Sequence, residues 1–154
     1  MGEVEASVEV DAPLAEVWDL YFDERRWASW VDGFSSTGSS TDYPERGGRL
    51  SWRSTPAGRG AVNETVLEHQ PRTLHRISYE DPSSRGQLET RFEMVPAGED
   101  GERRTKVTQK MSYELTEPGL FGGVTDFLFI RSQMRRSLQR SLAELGIEAR
   151  AQSR

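Results

Sequence analysis

The 154-residue chain contains no cysteine, two histidines (His69 and His75) and two lysines (Lys106 and Lys110). Without cysteine there is no disulfide scaffold, no thiol nucleophile and no cysteine-ligated metal. The histidines flank a Gln70-Pro71-Arg72 turn with no clustered carboxylate. They are therefore expected to be exposed, and neither a metal nor a cofactor is expected. No apolar run approaches the roughly 20 residues of a membrane span. The opening Met-Gly-Glu-Val-Glu lacks the basic and apolar regions of a signal peptide, so a cytoplasmic protein without membrane insertion is expected. Nucleophile elbow, phosphate loop and dinucleotide fingerprint are all missing. The Asn63-Glu64-Thr65 sequon, with no secretory signal before it, is read as chance. A net charge of -5 argues against a nucleic-acid partner, which usually leaves a basic footprint.

The chain is long enough for one domain and short for two. With 34% hydrophobic and 29% charged residues, its apolar side chains must line a small core or a hollow one. Val4, Ala6, Val8 and Val10 alternate with polar residues, the mark of a strand with one buried face. Asp11-Ala-Pro13 then offers a capping acid and a first-turn proline, and Leu14, Val17, Trp18 and Tyr21 follow at helical spacing. Asp23-Glu24 interrupts the pattern before Trp27, Trp30 and Val31 resume it, which predicts two short helices with a bend between them.

From Phe34 to Leu115 the texture is short alternating segments separated by turn residues. Strands are predicted at about 34–40, 48–54, 60–69, 73–80, 86–96 and 103–115. Two inward sets stand out: Leu88, Thr90, Phe92 and Met94, and then Thr105, Val107, Gln109, Met111, Tyr113 and Leu115. Thr116-Glu-Pro118 reads as a further helix start. The stripe Leu120, Val124, Phe127, Leu128, Met134, Leu138 and Leu142 predicts a long closing helix ending at Gly146. The domain is therefore drawn as 1–147, with a frayed tail at 148–154.

Such elements bury their faces together if the sheet curls around the helix, an arrangement that leaves a cavity. Three stretches, "VEVDAPLAEVWDLYFDERRWASW", "VLEHQPRTLHRISYE" and "GLFGGVTDFLFIRSQMRRSLQRSLAEL", resemble the START-like, or SRPBCC, superfamily, in particular its polyketide cyclase/dehydrase-like branch. The resemblance covers nearly the whole chain. It implies an α+β helix-grip fold: a curved seven-stranded antiparallel sheet around a long C-terminal helix, with two short helices after the first strand. It carries no reaction, because the fold hosts unrelated functions.

Function then rests on the cavity lining. The expected lining residues are Trp30, Phe34, Trp52, Glu64, Val66, Phe92, Gln109, Met111, Tyr113, Phe127 and Arg131. Trp18 and Trp27 are read as packing residues, while Trp30 is open between packing and gating. Gln109 and Tyr113 are polar groups on an inward face, satisfied either by each other and water or by a ligand. Glu64 shares one face with Val62 and Val66, but Asn63, Thr65 and Leu67 form a competing face. Leu74 and Ile77 also disagree in phase, so Arg76 and Tyr79 are left unoriented. Arg131 is either a cavity arginine able to hold an acidic oxygen or one more snorkelling arginine of an arginine-rich helix.

Three functions compete. One is a carrier or sensor of a hydrophobic or aromatic small molecule, acting as a monomer or homodimer. The second is a polyketide cyclase/aromatase-like enzyme using the same cavity, where confinement supplies much of the catalysis. The third, a partner-binding protein, expects an exposed apolar surface, and the charged outward faces argue against it.

Overall fold

The computed structural model describes residues 2–55, 60–96, 101, 103–116 and 124–152, with backbone alone for 124–127. Strand β1 spans Gly2–Val10, helix α1 Leu14–Tyr21 and helix α2 Trp27–Trp30, with a single 3₁₀ turn at Glu24–Arg26 between the helices. Six strands follow: β2 Phe34–Thr41, β3 Arg49–Ser54, β4 Ala61–Gln70, β5 Leu74–Glu80, β6 Ser84–Val95 and β7 Arg104–Leu115. Helix α3, Val124–Gln152, closes the chain.

The strands form one antiparallel sheet in the order β1-β7-β6-β5-β4-β3-β2. Five connections are therefore between sequence neighbours, and only β1 reaches across the chain to pair with β7. Gly86 lies between Tyr79 and Tyr113 in the ladder. A Cβ at Gly86 would collide with the Ser112 carbonyl oxygen, so only glycine allows the two backbones to approach this closely. The resulting fold is the helix grip, with α3 lying against β1 and α1 and α2 covering the remaining concave face.

Four sequence expectations are corrected. Asp11 does not cap α1: Pro13 occupies the cap position with no side-chain hydrogen bond, and the Asp11 carboxylate pairs with Arg104 at 3.3 Å. Met94 is exposed, because it lies near the far end of the β6-β7 hairpin, beyond the reach of the helices that cover Thr90 and Phe92. Leu128 is likewise exposed despite its place in the predicted stripe. The long helix does not stop at Gly146 but continues to Gln152, with Ala149 buried beyond the glycine. A helical glycine there keeps a regular conformation, and a Cβ on it would meet only Val8 and Val10 at 3.8 Å.

The core is continuous from β1 to β3. Arg26 in the 3₁₀ turn pairs with Glu148 of α3 at 2.7 Å. After α2, the Asp32 backbone N–H donates to Ser141 Oγ at 2.9 Å, and Ser137 Oγ donates to the Asp32 carboxylate at 2.9 Å. These bonds fix the short helices to the long one, and the space they roof is the candidate site.

Candidate functional site

Antiparallel pairing places directly opposed residues on the same face of a sheet. His69 on β4 opposes His75 on β5, His75 opposes Thr90 on β6, and Thr90 opposes Gln109 on β7. A row of four polar side chains thus crosses a concave surface of mostly apolar and aromatic residues. From α1, Tyr21 lowers its phenol onto the row. Its Oη lies 2.9 Å from Thr90 Oγ1, and Gln109 Nε2 donates to Tyr21 Oη at 3.2 Å and to Thr90 Oγ1 at 3.4 Å. Burial pushes the Tyr21 phenol up to about 12, with the nearby Glu64 charge adding to the effect. The phenol is therefore neutral at physiological pH and acts as a hydrogen-bonding group.

Five residues before His69 on β4, Glu64 faces inward. Trp52 Nε1 donates to Glu64 Oε2 at 2.7 Å, and the Trp52 ring stacks on Phe34 at 5.8 Å. Trp27 meets Phe34 and Tyr43 edge-on at 6.1 and 5.9 Å, and its Nε1 donates to the Tyr21 carbonyl at 2.8 Å. Trp30 packs 5.1 Å from Tyr21. Burial raises the Tyr43 phenol well above its ordinary value, and the charge of Glu64 contributes. These rings enclose a cavity of about 110 Å³ between the sheet, the short helices and the middle of α3. A dry cavity of similar magnitude holds a single benzene-sized ring.

Three side chains on this wall are buried and keep a polar atom with no hydrogen-bond partner among the described residues: Trp30 Nε1, His75 Nε2 and Gln109 Oε1. Buried polar atoms of this kind carry a desolvation cost unless something in the cavity meets them.

Of the residues expected from sequence to line the cavity, Trp30, Phe34, Trp52, Glu64, Gln109 and Met111 are on its wall. Val66 and Phe92 are not: both are buried in the packed core, where Phe92 lies 4.9 Å from Trp18 and 5.3 Å from Tyr21. Tyr113 is also off the wall, because it sits at the sheet margin with its ring over Gly2. Arg131 is exposed and off the wall, so the snorkelling alternative describes it. The Phe127 side chain lies outside the described residues. Trp27 packs as expected and lines the cavity as well.

His75 is the clearest reversal. Expected to be exposed, it is 3% exposed and contributes to the wall. Tyr79 also faces the cavity, whereas Arg76 turns away to pair with Glu68 at 3.1 Å. Sequence reasoning missed Tyr21, Tyr43 and Asp32 as wall residues. Tyr21 carried a signal, its place in the helical stripe of α1, but a stripe marks a buried face without separating packing from lining. Tyr43 lies between strands, where no periodicity marks it.

The sequence profile for polyketide cyclase / dehydrase and lipid transport proteins matches residues 1–149. The chain belongs to that family. No curated protein matches this family member. Among solved structures, the Thermus thermophilus protein TTHA0849 is 23% identical with a TM-score of 0.69, covering 99% of this chain and 100% of that one. The Zhui aromatase/cyclase from Streptomyces is 18% identical, with a TM-score of 0.69 over 99% and 96% of the two chains. Truncated norcoclaurine synthase from Thalictrum flavum is 11% identical, with a TM-score of 0.64 over 94% and 90%. At these identities the likeness shows the fold that this cyclase/dehydrase-family chain shares with them.

Proposed function

We propose that the chain binds a small aromatic molecule in the cavity between sheet and long helix, acting as a carrier or sensor in the cytoplasm. The observation that carries this reading is the wall itself: aromatic rings enclosing space for about one ring, with unpartnered buried polar atoms at Trp30, His75 and Gln109. Aromatic walls favour a planar guest in offset or edge-on contact, and a few fixed polar groups set its orientation. Family membership supports a small-molecule ligand. Phe34, Trp52, Glu64 and Met111 belong to the proposed binding set, together with Tyr21 and Thr90.

A second reading, a cyclase- or aromatase-like enzyme, is favoured by one observation. The Glu64 carboxylate lines the same cavity as the Tyr21 and Tyr43 phenols, which puts a hydrogen-bond acceptor and two hydroxyl groups on one wall. Such groups can assist enolisation or loss of water from a confined chain.

Native mass spectrometry of the purified protein, before and after denaturation, tests the proposal. A defined aromatic compound released on unfolding supports the carrier reading. An empty protein that converts an added polyketide-like precursor would replace it with the enzymatic one. An empty and inert protein would remove both.

A further inference from the structure

One end of the polar row is the histidine pair, and its outer member, His69, is partly exposed. His69 Nδ1 and His75 Nδ1 are 3.0 Å apart, a hydrogen bond that requires one ring to donate and the other to accept. His69 is half-buried, while His75 is buried with its Nε2 unpartnered on the cavity wall. Phe22 packs against both rings, at 5.2 and 4.8 Å, and Trp18 lies 5.1 Å from His69. These rings sheath the contact against competing water. Among the described residues no third imidazole or carboxylate joins the pair in a metal-binding cluster.

We propose that His69 and His75 form a proton relay between solvent and the cavity, with His75 Nε2 as its inner terminus. The inference rests on the reading that the cavity holds a ligand.

Burial lowers the affinity of both rings for a proton, His75 to about 3, with the neighbouring His69 adding to the effect on His75. The other charged groups around the pair are few. Glu45 acts on His69 in the opposite direction, the Tyr43 ring lies 5.7 Å from His75, Tyr21 stands farther along the row, and Glu68 and Arg76 neutralise each other on the opposite face. Transfer through a standing imidazolium is therefore disfavoured, and a concerted passage between neutral tautomers avoids it.

In one state His69 Nδ1–H donates to His75 Nδ1, and His75 carries its second proton site, Nε2–H, toward the cavity. An inward passage forms a His69 Nε2–H bond from solvent, moves the His69 Nδ1 proton to His75 Nδ1, and releases the His75 Nε2 proton to an acceptor in the cavity. Three bonds to hydrogen break and three form, and both rings are neutral before and after. The tautomers end inverted, so His75 Nε2 is now a lone-pair acceptor. The reverse passage withdraws a proton from the ligand and restores the first state. The pair thus suits a ligand bearing an ionisable hydroxyl, such as a phenol or enol, which gives up one proton and takes one back.

The test uses the full-length protein labelled with ¹⁵N in its histidine rings, observed between about pH 5 and 8. A through-hydrogen-bond coupling between the two Nδ1 nuclei, with His75 neutral throughout, is the expected result. Absence of the coupling, or a His75 that takes up a proton in this range, overturns the relay without reference to any ligand. A second measurement follows protonation of cavity-bound para-nitrophenol after a rapid pH jump. His69→Phe, which keeps the ring packing, and His69→Gln, which keeps one hydrogen bond, are each expected to slow it by roughly 10-fold or more. Rates equal to wild type in folded variants overturn the relay. Failure of para-nitrophenol to bind counts instead against the ligand reading, and the coupling alone then decides the relay.

Discussion

The two ends of the concave face are built from different materials. Where α3 lies on β1, the buried side chains, with Val107 of the neighbouring strand, are aliphatic and compact: Val4, Val10, Val107, Leu142, Leu145 and Ala149. Where the side chains of α1 and α2 face the sheet, large rings join the aliphatic core: Tyr21, Trp27, Trp30, Trp52 and Tyr79 stand beside Leu50, Val62 and Ile77. Branched aliphatic residues interdigitate and close the space between helix and sheet. Rigid rings meeting edge-on span a wider gap and leave a hollow between them. The aliphatic end holds the grip together, and the aromatic end keeps it open.

The largest effect is expected at the boundary of the two regions. Phe92 is buried against Trp18 and Tyr21 and off the cavity wall, so Phe92→Ala should cost about 3–5 kcal/mol in denaturant unfolding. A loss well below that range would mean that the hollow extends to Phe92 and that the boundary is drawn in the wrong place.

Acid comes next. His75 in the folded chain stays neutral to about pH 3, whereas an unfolded histidine takes up its proton near pH 6.5. Its contribution is therefore fully present above about pH 6.5 and is lost as pH falls toward 3, by about 1.4 kcal/mol per pH unit while only the unfolded chain is protonated. His75→Phe should flatten that part of the stability-pH profile. An unchanged slope would show that His75 is not the buried group responsible.

A smaller effect separates packing from binding. Gln109→Leu removes a side chain whose oxygen is unpartnered and leaves the Tyr21-Thr90 bond in place, so stability should change by no more than about 1.5 kcal/mol. Ligand affinity should fall, measured by calorimetry on the folded variant. Unchanged affinity would remove Gln109 from the binding set. The smallest change belongs to the aliphatic end: Gly146→Ala should stabilise the protein by about 0.5–1 kcal/mol, because the added methyl meets only Val8 and Val10 at ordinary contact distance. Destabilisation there would show that the end is packed more tightly than its geometry implies.

Much of the scaffold was readable before any coordinates. The expected segment 103–115 corresponds to Arg104–Leu115, which alternates against one covered face, and 34–40 corresponds to Phe34–Thr41, a strand exposed at every position after Phe34 and marked by its short polar texture alone. The wall was less legible, and β4 shows why. The register shifts between Val66 and Glu68, so Val62, Glu64 and Val66 point inward before the irregularity and His69 points inward after it. Both phases of the sequence pattern are real, in different halves of one strand, and neither half alone reveals the change. The polar row is hidden for a related reason. Its four members come from four strands, and their alignment depends on register across three hairpins. Arg131 failed on different grounds: a helical stripe gives a direction only to within a fraction of a turn, and a long side chain at its margin can reach solvent.

The most direct measurement of the cavity's role is an NMR titration of the tryptophan indole N–H signals with a panel of small phenols and other single-ring aromatics. Saturable shifts at Trp30 and Trp52, with Trp18 little affected, are expected if a guest enters among the rings. A folded protein whose Trp30 and Trp52 signals respond to no member of the panel would contradict the aromatic-ligand account.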